Sequence, residues 1–152
     1  MAITKSKRPE EILRSWFVSV FTERAGGYAQ PIESRPTGLG ISDLYAIMPG
    51  SKKPFWVEFK VCPDIDQAIS FEPGQLNWMY KHHNAGGRSL VLIQVEELIY
   101  IVPITYIDRT TNHIRHPALD KKYILRIAKK HLVPGLEIFL EQLDKLLDYD
   151  RN

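Results

Sequence analysis

Asp43, Glu58 and Lys60 are the residues of this chain best placed to do chemistry. They lie in two apolar runs, Ile41-Ser42-Asp43-Leu44-Tyr45-Ala46-Ile47 and Phe55-Trp56-Val57-Glu58-Phe59-Lys60-Val61, separated by Pro49-Gly50-Ser51-Lys52-Lys53-Pro54. Side chains on a β-strand alternate between its two faces. Phe55, Val57, Phe59 and Val61 therefore share one face, and Trp56, Glu58 and Lys60 the other. An acid and a base on an apolar strand are unfavourable unless paired, solvated or bound to a metal. The intervening Pro-Gly-Ser run is a turn signal, and a hairpin symmetric about Gly50 and Ser51 sets Asp43 opposite Glu58. Directly opposed residues have Cβ atoms ~4.5–5.5 Å apart, within reach of one shared small cation. A slip of one residue would turn one carboxylate to the other face.

The chemistry follows from that pairing. Mg²⁺ is bound through one or two carboxylates, several waters and phosphate oxygens. Such an ion polarises a phosphate and lowers the pKa of bound water. Lys60 could orient that water, stabilise charge developing on the phosphoryl oxygens, or act as a base beside the metal, which favours the neutral amine. This is the equipment of a metal-dependent nuclease. Two surface acids near a lysine are the plainer alternative. That alternative accounts for an acid-x-lysine triplet alone, but not for the triplet, the opposed Asp43 and the turn together.

The elements that must position these residues are visible in the pattern. Pro9-Glu10-Glu11 opens a helix, with proline near its start and acids in its first turn. Ile12, Leu13, Trp16, Phe17, Val20 and Phe21 recur at three- and four-residue intervals as its apolar face, and Gly26-Gly27 stop it. Strands are expected over residues 28–34, 41–48, 54–61, 90–95 and 98–102, with Glu96-Glu97 as the last turn. Helices are expected over 75–83, closed by Gly86-Gly87, over 123–131 with basic character, and over 135–150 with acidic character. Residues 62–69 read as a loop, with Asp64 and Asp66 as solvated acids, and 103–120 carry no regular pattern. In the final helix Leu136, Phe139, Leu140, Leu143, Leu146 and Leu147 form a continuous stripe. It is expected to pack on the domain, with a dimer interface as the alternative.

Ser42-Asp43 followed by Glu58-Phe59-Lys60 resembles the core motif of the PD-(D/E)xK nuclease superfamily, with Ser42 where that motif usually has proline. Further on, Ser70-Phe71-Glu72-Pro73-Gly74-Gln75-Leu76-Asn77-Trp78-Met79 and Ala85-Gly86-Gly87-Arg88-Ser89-Leu90-Val91-Leu92-Ile93 are similar to the glutamine-bearing helix, glycine turn and apolar strand of RecU-type Holliday-junction resolvases and VRR-NUC domains. Tyr100-Ile101-Val102-Pro103 resembles the strand that follows in RecU-like proteins, so the resemblance runs over about residues 10–107. It implies an α/β fold with a restriction-endonuclease-like core: a helix, a meander of strands carrying the site, a second helix, then further strands. The mixed central β-sheet would be flanked by helices, with a C-terminal helical extension over about 108–152, the whole of 1–152 forming one nuclease domain.

The resemblance also implies roles. Asp43 and Glu58 would bind Mg²⁺ or Mn²⁺, with the Phe59 carbonyl as a further ligand, and Lys60 would be the catalytic lysine. Gln75 would be the glutamine of the second helix that supports the site, where an ordinary helix-surface amide is the alternative. An acid on the first helix is expected as well. Glu10 and Glu11 are both candidates and Glu11 is taken, although acids at a helix N-terminus are favourable there in any case. The implied function is cleavage of DNA phosphodiester bonds, most specifically by a Holliday-junction resolvase acting as a homodimer, since two symmetric cuts need two active sites related by a two-fold axis. The rivals are a flap, nick or mismatch nuclease of the same fold, and a non-catalytic DNA-binding module. A pure binder has no need of two acids facing a polyanion.

Composition sets the outer bounds. A chain of 152 residues fits one domain and can bury roughly two-thirds of its unfolded surface. Hydrophobic content of 44% with 25% charged residues is globular. No apolar run is long enough to span a membrane, and residues 1–9 are basic without the apolar stretch of a secretory signal. Cys62 is the only cysteine, which suits a reducing cytoplasm, expected here to be that of a bacterial cell or a phage-infected host. A net charge of +2 says little about partners. Its distribution says more: Arg109, Arg115, Lys121, Lys122, Arg126, Lys129 and Lys130 fall in a stretch whose single acid is Asp120. These could contact phosphates, as could Arg35, or simply form a solvated face. His113-x-x-His116 lacks the spacing of a structural zinc site, and neither a glycine-rich phosphate loop nor a nucleophile elbow is present. Most aromatic residues are expected in the core; Trp56 differs, because it shares the face of Glu58 and Lys60.

Overall fold

The computed structural model describes residues 8–32, 42–62, 68–72, 74–107, 113–114 and 124–148. The first helix, α1 (Pro9–Ser19), has Pro9 at its start and Glu10 and Glu11 in its first turn. Proline's fixed φ and missing N–H suit that place, and the acids meet the positive end of the helix. The last turn widens into a π-helical stretch over Val20–Arg24. Strands β1 (Tyr28–Pro31), β2 (Leu44–Ile47) and β3 (Pro54–Cys62) make an antiparallel meander. The short β4 (Ile69–Ser70) leads to α2 (Gln75–Asn84), which carries the chain over to β5 (Ser89–Val95). Strand β6 (Leu98–Pro103) follows through a turn in which Glu96 has φ of 51°. Then come β7 (His113–Ile114), which pairs with β4, and β8 (Leu125–Ala128), α3 (Lys129–Leu132) and α4 (Leu136–Leu146).

The main sheet has six strands in the order β1-β2-β3-β5-β6-β8. Only the β3–β5 pair is parallel, and α2 is the crossover that such a pair requires. The architecture is thus the expected α/β one, a mixed sheet flanked by helices. Period-two alternation in β3 divides the interior. Phe55, Val57 and Phe59 join Leu13 and Phe17 of α1, Phe21 of the π-helical stretch, and Phe139 and Leu143 of α4 on one face. On the other, Leu76 and Met79 of α2 cover Val91, Ile93, Tyr100 and Val102. Central strand β5 is buried on both faces from Leu90 to Ile93, as a parallel-paired strand should be. No helix among the described residues is long and apolar enough to cross a membrane.

Two expectations change. The basic helix expected over 123–131 is instead strand β8 followed by the single turn α3. Leu125 and Ile127 alternate with exposed Arg126 and pack on the α1–α4 face, while the backbone of β8 pairs with β6 through Ile99↔Ile127 and Ile101↔Leu125. An unpaired edge of β6 is a stronger claim on this segment than its helical composition. The C-terminal extension therefore contributes a strand to the sheet as well as helices. Strand β2 is also shorter than expected: it starts at Leu44, and Asp43 occupies a bend just before it.

Helix α4 settles its own stripe. Phe139, Leu143, Leu146 and Leu147 are buried against the sheet, with Leu136 and Leu140 partly so, which leaves that stripe no dimer interface to form. Its C-terminal end is fastened by ions. Lys53 Nζ lies 3.1 Å from Asp144 and 2.6 Å from Asp148, and Arg88 lies 2.9 Å from Asp148. Truncating Phe139 to alanine should lower unfolding free energy by about 3–5 kcal/mol, whereas Ile138→Ala, at a position 64% exposed, should stay within ~0.5 kcal/mol. Urea unfolding curves of the two variants check this; the reverse ranking would mean that α4 presents its other side to the sheet.

Candidate active site

The site forms where β3 runs on past the end of β2. Their pairing extends from Ile47↔Pro54 to Leu44↔Val57, and the same register carried one residue further sets Asp43 opposite Glu58, as the turn's symmetry predicts. The loop is closed by the Met48 N–H donating to the Lys53 carbonyl at 2.9 Å. Gly50 and Lys52 take positive φ within it, at 76° and 62°. Beyond the last rung, the Asp43 side chain replaces the missing strand: its Oδ2 accepts the Phe59 N–H at 3.1 Å. Its main-chain carbonyl accepts the Ile32 N–H at 2.9 Å. A strand residue directs its N–H and C=O to the same side, so the Phe59 carbonyl leaves β3 beside the Asp43 carboxylate.

Glu58 is 2% exposed. Its Oε1 accepts a hydrogen bond from Gln75 Nε2 at 2.6 Å, while its Oε2 is buried with no hydrogen-bond partner among the described residues. Burial first, and the neighbouring charge of Asp43 second, push its pKa up to about 9 against the opposing pull of Lys60. With only protein groups around it, Glu58 keeps its proton at neutral pH. Lys60 is half-buried. Its Nζ donates to Gln75 Oε1 at 3.0 Å and lies 5.0 Å from the centre of the Phe71 ring.

Gln75 is the hinge-pin between the two. As the first residue of α2 it follows Gly74, whose φ is 92°. Its Oε1 also accepts the Glu72 N–H at 2.8 Å, and its own N–H donates to the Glu72 carbonyl at 3.1 Å. The oxygen faces two donors and the nitrogen a carboxylate, which fixes the orientation of the amide. Phe71 and Glu72 were not singled out in the sequence. Glu72 takes part through its backbone alone, which no side-chain pattern announces.

The structure thus brings together Asp43, Glu58, Phe59, Lys60 and Gln75. It does not bring Glu11 to them. Glu10 and Glu11 stand on α1, which packs on the opposite face of the sheet, and no group of three or more His, Cys, Asp or Glu side chains placed to share an ion exists among the described residues. Of the basic stretch, Lys129 lies over the Trp16 ring, 5.0 Å from its centre, on the α1 side. Arg35, Asp64, Asp66, Arg109, Arg115, His116, Lys121 and Lys122 lie outside the described residues.

Two opposed carboxylates, one with a bare oxygen, a strand carbonyl next to them and an ammonium fixed nearby make a donor set for a small divalent cation and an anionic oxygen ligand. The raised Glu58 pKa has a consequence that needs no ligand. The folded protein holds this proton to higher pH than the unfolded chain, so the stabilisation is complete below pH 4.5 and is lost as pH rises toward about 9. In EDTA, the urea midpoint of the wild type should fall across that window relative to Glu58→Gln, which mimics the protonated form. Parallel profiles would show that Glu58 is solvated.

No protein-family model and no curated protein matches the sequence. The fold is similar to that of Hjc from Archaeoglobus fulgidus, a Holliday junction resolvase from an archaeal hyperthermophile, with a TM-score of 0.55 and 13% identity over 72% of this chain and 89% of that one. At that identity the likeness is one of fold: a mixed sheet flanked by helices is common to both.

Proposed function

We propose that this chain is a metal-dependent DNA endonuclease of the PD-(D/E)xK type that resolves four-way junctions. The observation that carries the reading is the pair of opposed carboxylates, with the bare Glu58 Oε2 and a Lys60 ammonium held by the same glutamine that holds Glu58. The fold likeness to Hjc, itself a Holliday junction resolvase, supports it. Asp43, Glu58 and the Phe59 carbonyl would hold Mg²⁺ or Mn²⁺. Bound there, the ion supplies positive charge that polarises a phosphate and acidifies water. It would also give Glu58 Oε2 the partner it lacks, and ligand binding of this kind displaces a carboxyl proton.

The chain's own residues do the rest. Gln75 holds the Lys60 ammonium near Glu58 without letting the two pair directly, and the Phe71 ring steadies the cation. From that position Lys60 can donate to a phosphoryl oxygen and offset negative charge gathering on it during attack by water. Phe59 N–H fixes the Asp43 carboxylate in place. A homodimer would supply two such sites to a two-fold junction, through a surface other than the buried stripe of α4.

The test is cleavage of end-labelled four-way junctions beside linear, flapped and nicked duplexes, in Mg²⁺, Mn²⁺ or EDTA. Paired symmetric cuts confined to the junction are expected, abolished by EDTA and by Asp43→Ala. Lys60→Ala should slow them by about 10²–10³-fold, and Gln75→Ala by about 10–100-fold, as for groups that orient a ligand rather than act themselves. Cutting of every substrate would replace the resolvase with a flap, nick or mismatch nuclease. Binding without any cutting would leave a DNA-binding module.

A further inference from the structure

Strand register arranges the site-bearing face of β1–β3 in cross-strand rows. One row holds Gln30, Tyr45 and Trp56. The next row, two residues along each strand, holds Asp43 and Glu58. Rows two residues apart are separated by ~6.6 Å. Helix α2 extends the aromatic row: Trp56 meets Trp78 edge-on at 5.1 Å between ring centres, and Trp78 stacks on His82 at 5.4 Å and 7°. Tyr45 leans on Trp56 at 5.1 Å, and Tyr28, 51% exposed on the outermost strand, approaches Tyr45 at 6.5 Å.

Neither Tyr45 nor Trp56 belongs to either apolar core. Both are half-buried, and beside them, on the side of Trp56 away from Glu58, opens a cavity of about 220 Å³ lined by Tyr45, Pro54, Trp56, His82, Gly87 and Arg88 among others. That is smaller than the ~300–1,000 Å³ of pockets for drug-sized ligands and has room for one heterocyclic ring system. Gly87 is part of its construction, since a Cβ there would lie 2.2 Å from the His82 ring. The one guanidinium on its wall, that of Arg88, is already engaged by Asp148 at 2.9 and 3.0 Å. What the cavity offers a ligand is therefore aromatic faces rather than free positive charge.

We propose that this row is a stacking site for an unpaired nucleobase on the strand whose phosphate Lys60 would contact. The proposal rests on the nuclease reading and deepens it. Every base has a π-face, and stacking on aromatic side chains binds single-stranded nucleic acid without reading its sequence. A base inside a duplex is already stacked on its neighbours; an unpaired one leaves the stack at the smallest penalty. A row of rings running from the acids along the α2 face would then favour cutting where the continuous base stack is broken, as at a branch point.

The test uses the full chain carrying Asp43→Asn, expected not to cut, in Mg²⁺. It is titrated with DNA bearing 2-aminopurine in a single strand, in a fully paired duplex, and at the branch of a four-way junction. Stacking should quench the probe in the single strand and the junction but not in the duplex. Adding Trp56→Ala should weaken binding of those two about 5- to 100-fold with duplex affinity unchanged, and Trp56→Phe should restore it. The quench is read with Trp56 in place, so it stands even if Trp56→Ala fails to fold. Absence of the quench in protein that binds DNA, or an equal loss of affinity on all three substrates, overturns the stacking site and leaves the nuclease reading standing. Failure to bind any of the three, with no cutting by the wild type, overturns both.

Discussion

A carboxyl group held almost dry inside a β-sheet, directly across from a second carboxylate, is the constraint around which this structure is organised. A charge on Glu58 would be penalised by burial and repelled by Asp43. Only a scaffold that over-determines their positions can keep them there. Strand β3 is paired along both edges, and its apolar side is pressed by rings, with Phe59 against Phe17 at 5.7 Å and Phe55 against Phe21 at 5.9 Å. The polar side is then free to carry groups that the interior would otherwise exclude. Gln75 completes the arrangement by meeting the demands of Glu58 and Lys60 with one amide.

The two faces of the sheet divide the labour. Helices α1 and α4 supply most of the apolar packing on one, and no described polar chemistry lies there. The α2 face carries Glu58, Lys60, Gln75 and the aromatic row. This division puts Glu10 and Glu11 on a helix that packs against the apolar side of β3, and among the described residues they form no shared ligand group with Asp43 and Glu58. It also explains why the ions at Lys53, Arg88, Asp144 and Asp148 matter beyond their modest individual worth. They tie the hairpin turn and the start of β5 to α4, and so lock the two layers together at the edge of the sheet.

Much of this was legible in the residues because the determining signals are local. Alternation in 54–61 and the Pro-Gly turn fix both the face and the register of Asp43, Glu58 and Lys60 without reference to the rest of the chain. Helix α2 and the β5–β6 hairpin are bounded by glycines and a pair of glutamates in the same way. Strand β8 was not legible. Leu125-Arg126-Ile127 is too short to show a period, its basic flanks suit a helix, and the open edge of β6 that captures it is distant in sequence. Gln75 came from resemblance rather than pattern, since a glutamine at a helix start looks the same whether it faces water or a buried acid. The parts played by Phe71 and by the Glu72 backbone are set by tertiary contact alone, and composition carries no trace of them.

The Met48–Lys53 loop has an implication for how this chain can vary over evolutionary time. Burial of Leu44, Ala46 and Met48 fixes which side of β2 faces the core, so a residue inserted between Pro49 and Lys53 has to be taken up in the loop itself rather than by sliding Asp43 past Glu58. Substitutions in this loop are constrained at the positions with positive φ, at Ser51, whose hydroxyl meets Asp144, and at Lys53, whose ammonium meets α4. Natural variants of this chain should therefore keep the buried alternation of β2 even where they keep little of the loop.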